Sequence, residues 1–206
     1  MTKRQQQQNL SQSRDGGYTI IESLVAMIVV SVLMIAIAPV MAFSVATRVQ
    51  ARRTELATQA ARTYIDALRT EAIKFGGSGF PIPAGGVLAD APVPTVNQTY
   101  CVDMDGTGVC ETSSTKDFYV QGAWLNPDTS ITGGDPTSKG YQLLVRVYRA
   151  DSFASGVTLN PTPRTGKKQS VVGSGLGDRT MPVVEMSTEI PATGDPSYRS
   201  LSDRLR

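Results

Sequence analysis

The sequence predicts an α+β protein in which one long N-terminal helix, apolar in its first half and amphipathic in its second, packs on a small antiparallel β-sheet. Three observations predict it. Residues 23–47 carry no charge at all, and residues 47–75 hold neither glycine nor proline while repeating apolar side chains every three or four positions. The C-terminal half then alternates short β-branched and aromatic segments with connections rich in Gly, Pro and Ser. These features divide the chain into a polar leader (1–17), a membrane half of the helix (18–46), an amphipathic half (47–75), a connecting loop (76–99), a sheet domain (100–190) and a tail (191–206).

The leader precedes a run from Ser23 to Thr47 built mainly of Leu, Val, Ile, Met and Ala, long enough to cross a bilayer. Lys3, Arg4 and Arg14 ahead of it favour a cytoplasmic start, although Arg48, Arg52 and Arg53 on the far side weaken that bias. An ordinary secretory signal with Ala38 or Ala42 before its cleavage point competes with this reading. The run is too long for a usual signal core, and Glu22 stands at its entrance, where a carboxylate is expensive and usually has a task. A glutamate merely extending to the interface is the bland alternative. Pro39 removes a backbone donor and its ring meets the Ile35 carbonyl, so a kink or loosening is expected there.

Past the apolar run, Leu56, Ala60, Tyr64, Leu68, Ala72 and Phe75 form one stripe opposite Arg52, Arg62, Asp66 and Arg69. A helix from Ile20 to Phe75 would be roughly 80 Å long. Gly76, Gly77, Gly79, Pro81 and Pro83 end it and begin an irregular connection. Strands are expected at Gln98–Val102, Asp117–Leu125, Tyr141–Ala150 and Pro182–Ile190. In the third, Leu143, Val145 and Val147 alternate with Leu144, Arg146 and Tyr148, which predicts a half-buried strand. Residues 151–181 and 191–206 read as loop and tail, with Lys167 and Lys168 on the surface.

Composition narrows the function. The formal net charge is +2, from 20 basic and 18 acidic residues without a long run of either sign, so no nucleic-acid partner is expected. There is no histidine, which removes the commonest general base near neutral pH, and no nucleophile–base pair or paired acids suggest an enzyme. Aromatic side chains number 13, sparse for stacking on sugars or bases.

Residues 16–24, Gly-Gly-Tyr-Thr-Ile-Ile-Glu-Ser-Leu, resemble the processing and methylation motif of type IV prepilins and type II secretion pseudopilins. The resemblance implies a type IV pilin-like fold and cleavage by a prepilin peptidase after Gly17, with N-methylation of the new terminus at Tyr18, where the family usually carries phenylalanine. Glu22 then falls at the fifth mature position, where the family's glutamate pairs with the terminal amine of a neighbouring subunit. Independently, a carboxylate one turn after a cationic amine suits the positive end of the helix dipole. Pro39 matches a common family proline, whereas Ser31 stands where many relatives have glycine. The implied partners are the peptidase, other pilin-like subunits, an inner-membrane assembly platform with its ATPase, and the membrane itself. The implied location is the inner (plasma) membrane, spanned once with the N-terminus cytoplasmic and the C-terminal domain outside, and then a pilus-like fibre.

SVATRVQARRTELATQAARTYIDALR, CVDMDGTGVC and KGYQLLVRVYRAD together resemble the hormogonium polysaccharide secretion pseudopilins of filamentous cyanobacteria. That narrower resemblance implies polysaccharide export and gliding motility. A fibre-tip binding module for polysaccharide or DNA is the alternative to a structural pseudopilin or minor pilin, and an anchored enzyme ranks third.

Asp103, Asp105, Thr107 and Glu111 follow the pattern D-x-D-G-T-G-x-x-E, with Gly106 and Gly108 permitting a sharp turn. Alternating oxygen ligands around such a loop suit calcium, but Thr107 replaces an acid and Ser114 replaces the bidentate glutamate of a full calcium loop. A hairpin turn closed by Cys101 and Cys110 explains the same residues, with a disulfide favoured over free thiols if the domain is exported. No cofactor is expected beyond that calcium ion.

Overall fold

The computed structural model describes residues 19–125, 135–160 and 177–193. The leader 1–17, Tyr18, Lys167, Lys168 and residues 194–206 of the tail lie outside the described residues. Contacts divide the chain into two compact units, Met1–Ser44 and Val45–Arg206.

One helix, α1 (Ile20–Arg69), supplies the described structure of the first unit and the spine of the second. Leu, Met, Ala and Gln keep it helical, and it continues through Pro39 without a break. Its start is capped by Thr19, whose Oγ1 accepts from the Glu22 backbone N–H at 3.3 Å while its carbonyl accepts from Ser23. Throughout 19–45 every residue is exposed.

In the second unit α1 buries Ala57, Ala60, Ala61, Tyr64, Ile65 and Leu68 in the main core. Small residues at 57, 60 and 61 let the helix lie close to its neighbours. The helix stops at Arg69, short of the expected Phe75. Glu71 takes a left-handed conformation (φ 56°), its N–H donates to the Leu68 carbonyl, and the Ile73 N–H reaches the Ala67 carbonyl. This turn buries Ile73 in the core and places Ala72 and Phe75 off the expected stripe, both exposed. A branched apolar side chain gained by the core offsets about 1 kcal/mol of left-handed strain.

The strands are β1 (Ile82–Pro83), β2 (Tyr100–Val102), β3 (Phe118–Leu125), β4 (Tyr141–Arg149) and β5 (Val184–Ile190). They form one sheet in the order β1-β3-β4-β5, with β2 also pairing β3. The expected antiparallel sheet is in fact mixed, because β1 runs parallel to β3 through Ile82↔Ala123 and Pro83↔Trp124. Pro83 has no N–H to donate, which suits the sheet's edge, and the Ala84 N–H extends the contact to the Trp124 carbonyl at 2.7 Å. β2 pairs antiparallel with the first residues of β3, and β4 joins β3 and β5 antiparallel along its length.

β4 is buried on both faces, not half-buried as its alternation suggests. Tyr141, Leu143, Val145 and Val147 meet the α1 side of the core. On the other face Leu144 packs with Ala84, Ala91, Ala123, Ile82 and Leu88, so the segment expected to be a bare connection is a covering layer. Tyr148 meets Phe153 of the short 3-10 turn Ala150–Phe153 edge to face, and Phe153 meets Tyr119 in the same way. Arg146, 1% exposed, donates Nη1 to the Ala91 carbonyl, Nη2 to the Ala89 carbonyl and Nε to Glu185. Beside it, Gln121 donates to the Pro92 carbonyl at 2.7 Å. These polar groups bolt the covering segment to the sheet.

Gly122 on β3 is required by close approach: a Cβ there would run into the Tyr64 hydroxyl and come within 3.0 Å of Pro81. The Tyr64 hydroxyl instead donates to the Gly79 carbonyl at 2.8 Å, tying helix, sheet and the post-helix turn together.

Candidate functional site

Two regions carry chemistry. The first is the exposed apolar half of α1, long and apolar enough to cross a membrane by length and composition. Ile20 is 86% exposed, and Leu24, Met27, Ile28, Leu33, Ile35 and Phe43 are exposed around the helix. No face of it is polar, so an apolar surround is the environment that satisfies this surface. The Ser23 and Ser31 hydroxyls return hydrogen bonds to the Ile20 and Met27 carbonyls, which keeps their polarity inside the helix. Glu22 stands exposed in the first turn, where its charge complements the helix dipole. The structure adds Thr19, whose cap the Thr-x-x-Glu spacing could have revealed. Gly17 and Tyr18, the expected processing residues, lie outside the described residues, and Pro39 sits within the apolar half.

The second is the loop between β2 and β3. Cys101, on β2, and Cys110 are joined as a disulfide, which closes the loop that carries the acidic residues. Asp103 organises it: Oδ1 accepts from the N–H groups of Asp105 and Gly106 at 2.9 and 2.7 Å, and Oδ2 from Gly108 at 2.5 Å. The Gly108 bond, followed by those from Gly106 and Asp105, holds the Asp103 carboxyl below the usual aspartate range. Asp105 accepts from the Thr107 N–H and the Ser114 hydroxyl.

The expected cation ligands are assembled only in part. Asp103 and Asp105 come together with Asp117, each offering an oxygen within 4.8 Å of the others. Glu111 is outside that group. The Thr107 hydroxyl donates to the Val109 carbonyl, and the Glu111 carboxylate accepts from Ser113. Asp117, 1% exposed, accepts from the N–H groups of Met104 and Glu111. Sequence spacing missed it because it lies at the loop's far end, next to the foot of β3, outside the Asp-x-Asp-Gly run. Three carboxylates converging on one point suit a hard, oxygen-preferring cation such as calcium, which takes six to eight oxygens. Several of their lone pairs are already taken by backbone donors, so the loop is ordered by its own hydrogen bonds.

Residues 12–38 match the family model described as the prokaryotic N-terminal methylation motif. The match covers the leader's end, Gly17, Tyr18, Glu22 and the apolar half of α1 up to the residue before Pro39. No curated protein and no solved structure matches the chain.

Proposed function

We propose that this type IV pilin- or pseudopilin-type subunit, indicated as such by its N-terminal methylation motif, is a pseudopilin or minor pilin of a machine for polysaccharide export and gliding motility. Its motif makes it a structural subunit and not an enzyme, processed by a prepilin peptidase and assembled with other pilin subunits. One apolar helix near the N-terminus fits a single-pass membrane anchor.

The observation that carries the reading is the motif's coincidence with a helix whose first half is exposed on every side. In our reading the peptidase cuts after Gly17 and Tyr18 becomes the methylated terminus. Glu22 of one subunit neutralises the new ammonium of its neighbour, so a charge pair in an apolar surround forms only when subunits dock in register. Leaving one partner of such a pair alone costs roughly 3–5 kcal/mol, enough to reject misdocked subunits. The N-terminus faces the cytoplasm, the sheet domain lies outside, and an inner-membrane platform with its ATPase drives extrusion. The cyanobacterial resemblance in residues 44–69, 101–110 and 139–151 supports the export substrate.

Mass spectrometry of the mature N-terminus tests processing, with a methylated Tyr18 as the expected product and a chain intact from Met1 as the refuting one. Glu22→Ala is expected to insert in the membrane yet drop out of fibres. Normal fibre recovery with that variant would sink the pairing, and unchanged polysaccharide secretion after deletion of the chain would sink the substrate assignment.

A further inference from the structure

Three arginines follow the uncharged run directly: Arg48, Arg52 and Arg53, with no acidic residue before Glu55. Residues 23–47 make about 37 Å of helix, somewhat more than the roughly 30 Å hydrocarbon core of a bilayer. When that run spans a membrane, the turns that hold the three arginines fall in the headgroup layer, which is roughly 5–7 Å deep. Positive charge at the far end of an anchor runs against the usual charge bias of membrane insertion, so these residues carry a cost that a partner can offset.

The fold adds a fourth arginine. β4 ends at Arg149, whose guanidinium pairs with Asp151 of the following 3-10 turn, and its side chain is only 12% exposed. Both groups stand near Arg53 on α1. Burial, and then the neighbouring Arg149 charge, hold the Arg53 pKa below the ordinary arginine value, and Asp151 offsets them only in part. Two half-buried guanidiniums from distant elements are thus gathered around one carboxylate. Arg48 and Arg52, one turn apart on the adjoining side of the helix, are exposed.

Hydrogen-bond acceptors are unmet at the same place. Gln50, one turn before Arg53 and 6% exposed, has no partner for its Oε1 among the described residues, and neither has Asp151 Oδ1 nor the Oγ of the buried Ser152. The cluster therefore combines an excess of guanidinium donors, which suits an anion, with buried acceptors, which suit a hydroxyl. A phosphodiester that carries a hydroxylated headgroup meets both needs: its phosphate oxygens accept from arginine, and its hydroxyls donate to Gln50 and Asp151.

We propose that Arg53 and Arg149, with Arg48 and Arg52 beside them, bind the phosphodiester of an anionic phospholipid with a hydroxylated headgroup, of which phosphatidylglycerol is a simple case. The bound lipid tethers this end of the domain to the bilayer surface. The inference goes beyond the subunit reading above and rests on it for the membrane anchor.

The test uses the full chain extracted from its membranes in mild detergent, with bound lipid counted by native mass spectrometry as phosphatidylglycerol, phosphatidylcholine or phosphatidylmethanol is added. Phosphatidylglycerol should bind at least about fivefold more tightly than phosphatidylcholine, since each arginine near an anionic surface contributes about that factor. Phosphatidylmethanol, with the same charge and no headgroup donor, should fall between them. Arg53→Gln and Arg149→Gln should each weaken phosphatidylglycerol binding about fivefold, with Trp124 fluorescence checking that each variant is folded. Arg48→Gln with Arg52→Gln, both exposed and so without consequence for folding, should weaken it by at least that factor. Arg62→Gln, about 14 Å further along the helix and outside the range of screened charge, should leave binding unchanged.

Equal binding of phosphatidylglycerol and phosphatidylcholine, or a loss with Arg62→Gln as large as with Arg53→Gln, overturns the site. Phosphatidylmethanol bound as tightly as phosphatidylglycerol overturns the headgroup contacts of Gln50 and Asp151, and displacement of the lipid by millimolar inorganic phosphate overturns the lipid as occupant. The same spectra weigh the chain: a mass beginning at a methylated Tyr18 upholds the subunit reading even where lipid binding fails. A chain intact from Met1 that still prefers phosphatidylglycerol overturns that reading and upholds the site.

Discussion

Replacing Arg146 with alanine should destabilise the sheet domain by about 3 kcal/mol, because its guanidinium is the main polar fastening of the covering segment. The side chain is 1% exposed and satisfies the Ala89 and Ala91 carbonyls at 2.9 Å each and Glu185 at 3.0 Å. A hydrogen bond to a charged group contributes about 1.5–3 kcal/mol, and breaking a buried ion pair costs roughly 3–5 kcal/mol. Glu185 is 26% exposed and can rehydrate, which places the expected loss at the lower end of that range. For a domain of this size about 3 kcal/mol lowers the midpoint of thermal unfolding by roughly 6–12 °C. The assay is built in: Trp124, the single tryptophan, sits in the core on β3, and its fluorescence reports unfolding of the full chain in detergent. Arg146→Met, which refills the volume but leaves the two carbonyls without donors, should fall between wild type and alanine. The segment around Ala84–Pro92 should also become the preferred site of limited proteolysis. A midpoint lowered by less than about 2 °C with that segment still protected would refute the fastening role.

Gly122→Ala should cost about 1–3 kcal/mol by overpacking against Tyr64 and Pro81. Tyr64→Phe alone should cost about 1 kcal/mol through the unpaired Gly79 carbonyl, and the double variant should cost less than the sum because the clashing hydroxyl is gone; strict additivity in thermal melts would show that the two do not touch. Serine at both Cys101 and Cys110 should lower stability by about 2.5 kcal/mol, the unfolded-chain entropy restored by opening this small loop, and an unchanged urea midpoint would deny it. The Asp103 carboxyl is held below its unfolded pKa, so its contribution is complete above about pH 3.9 and is lost as the pH falls through its lower folded value. The amide resonances of Gly106 and Gly108 should hold their positions down to about pH 4 and move below it; movement already near neutrality contradicts the bonding. Calcium at 100 times its dissociation constant should stabilise the chain by about 2.7 kcal/mol, less in Asp117→Asn, and no thermal shift at millimolar calcium retires the ion.

Much of the architecture is legible locally. An uncharged run followed by an Ala-, Arg- and Gln-rich stretch can hardly be other than one helix, and α1 spans both. Four of the five strands lie within the segments marked by β-branched and aromatic residues, their ends trimmed by one or two positions. β1 is not legible, since Ile82–Pro83 is a strand only because the exposed edge of β3 lies alongside it. The helix end follows the same logic: nothing between Arg69 and Phe75 forbids a helix, and the core's hold on Ile73 bends the chain away. The acidic loop shows both sides. Its Asp-x-Asp-Gly spacing announces a tight turn ordered by carboxylates, but the third carboxylate, Asp117, comes from the far end of the same loop while Glu111 stays outside the group.

By itself the sequence determined the long apolar run, the N-terminal methylation motif, the helix and the run of strands, because charge, oiliness and periodicity act between residues a few positions apart. Tertiary structure alone decided that Arg146 is buried and that Gly122 must lack a side chain. Each of these depends on which distant segment lies opposite, and that is fixed only when two faces of one sheet are both covered.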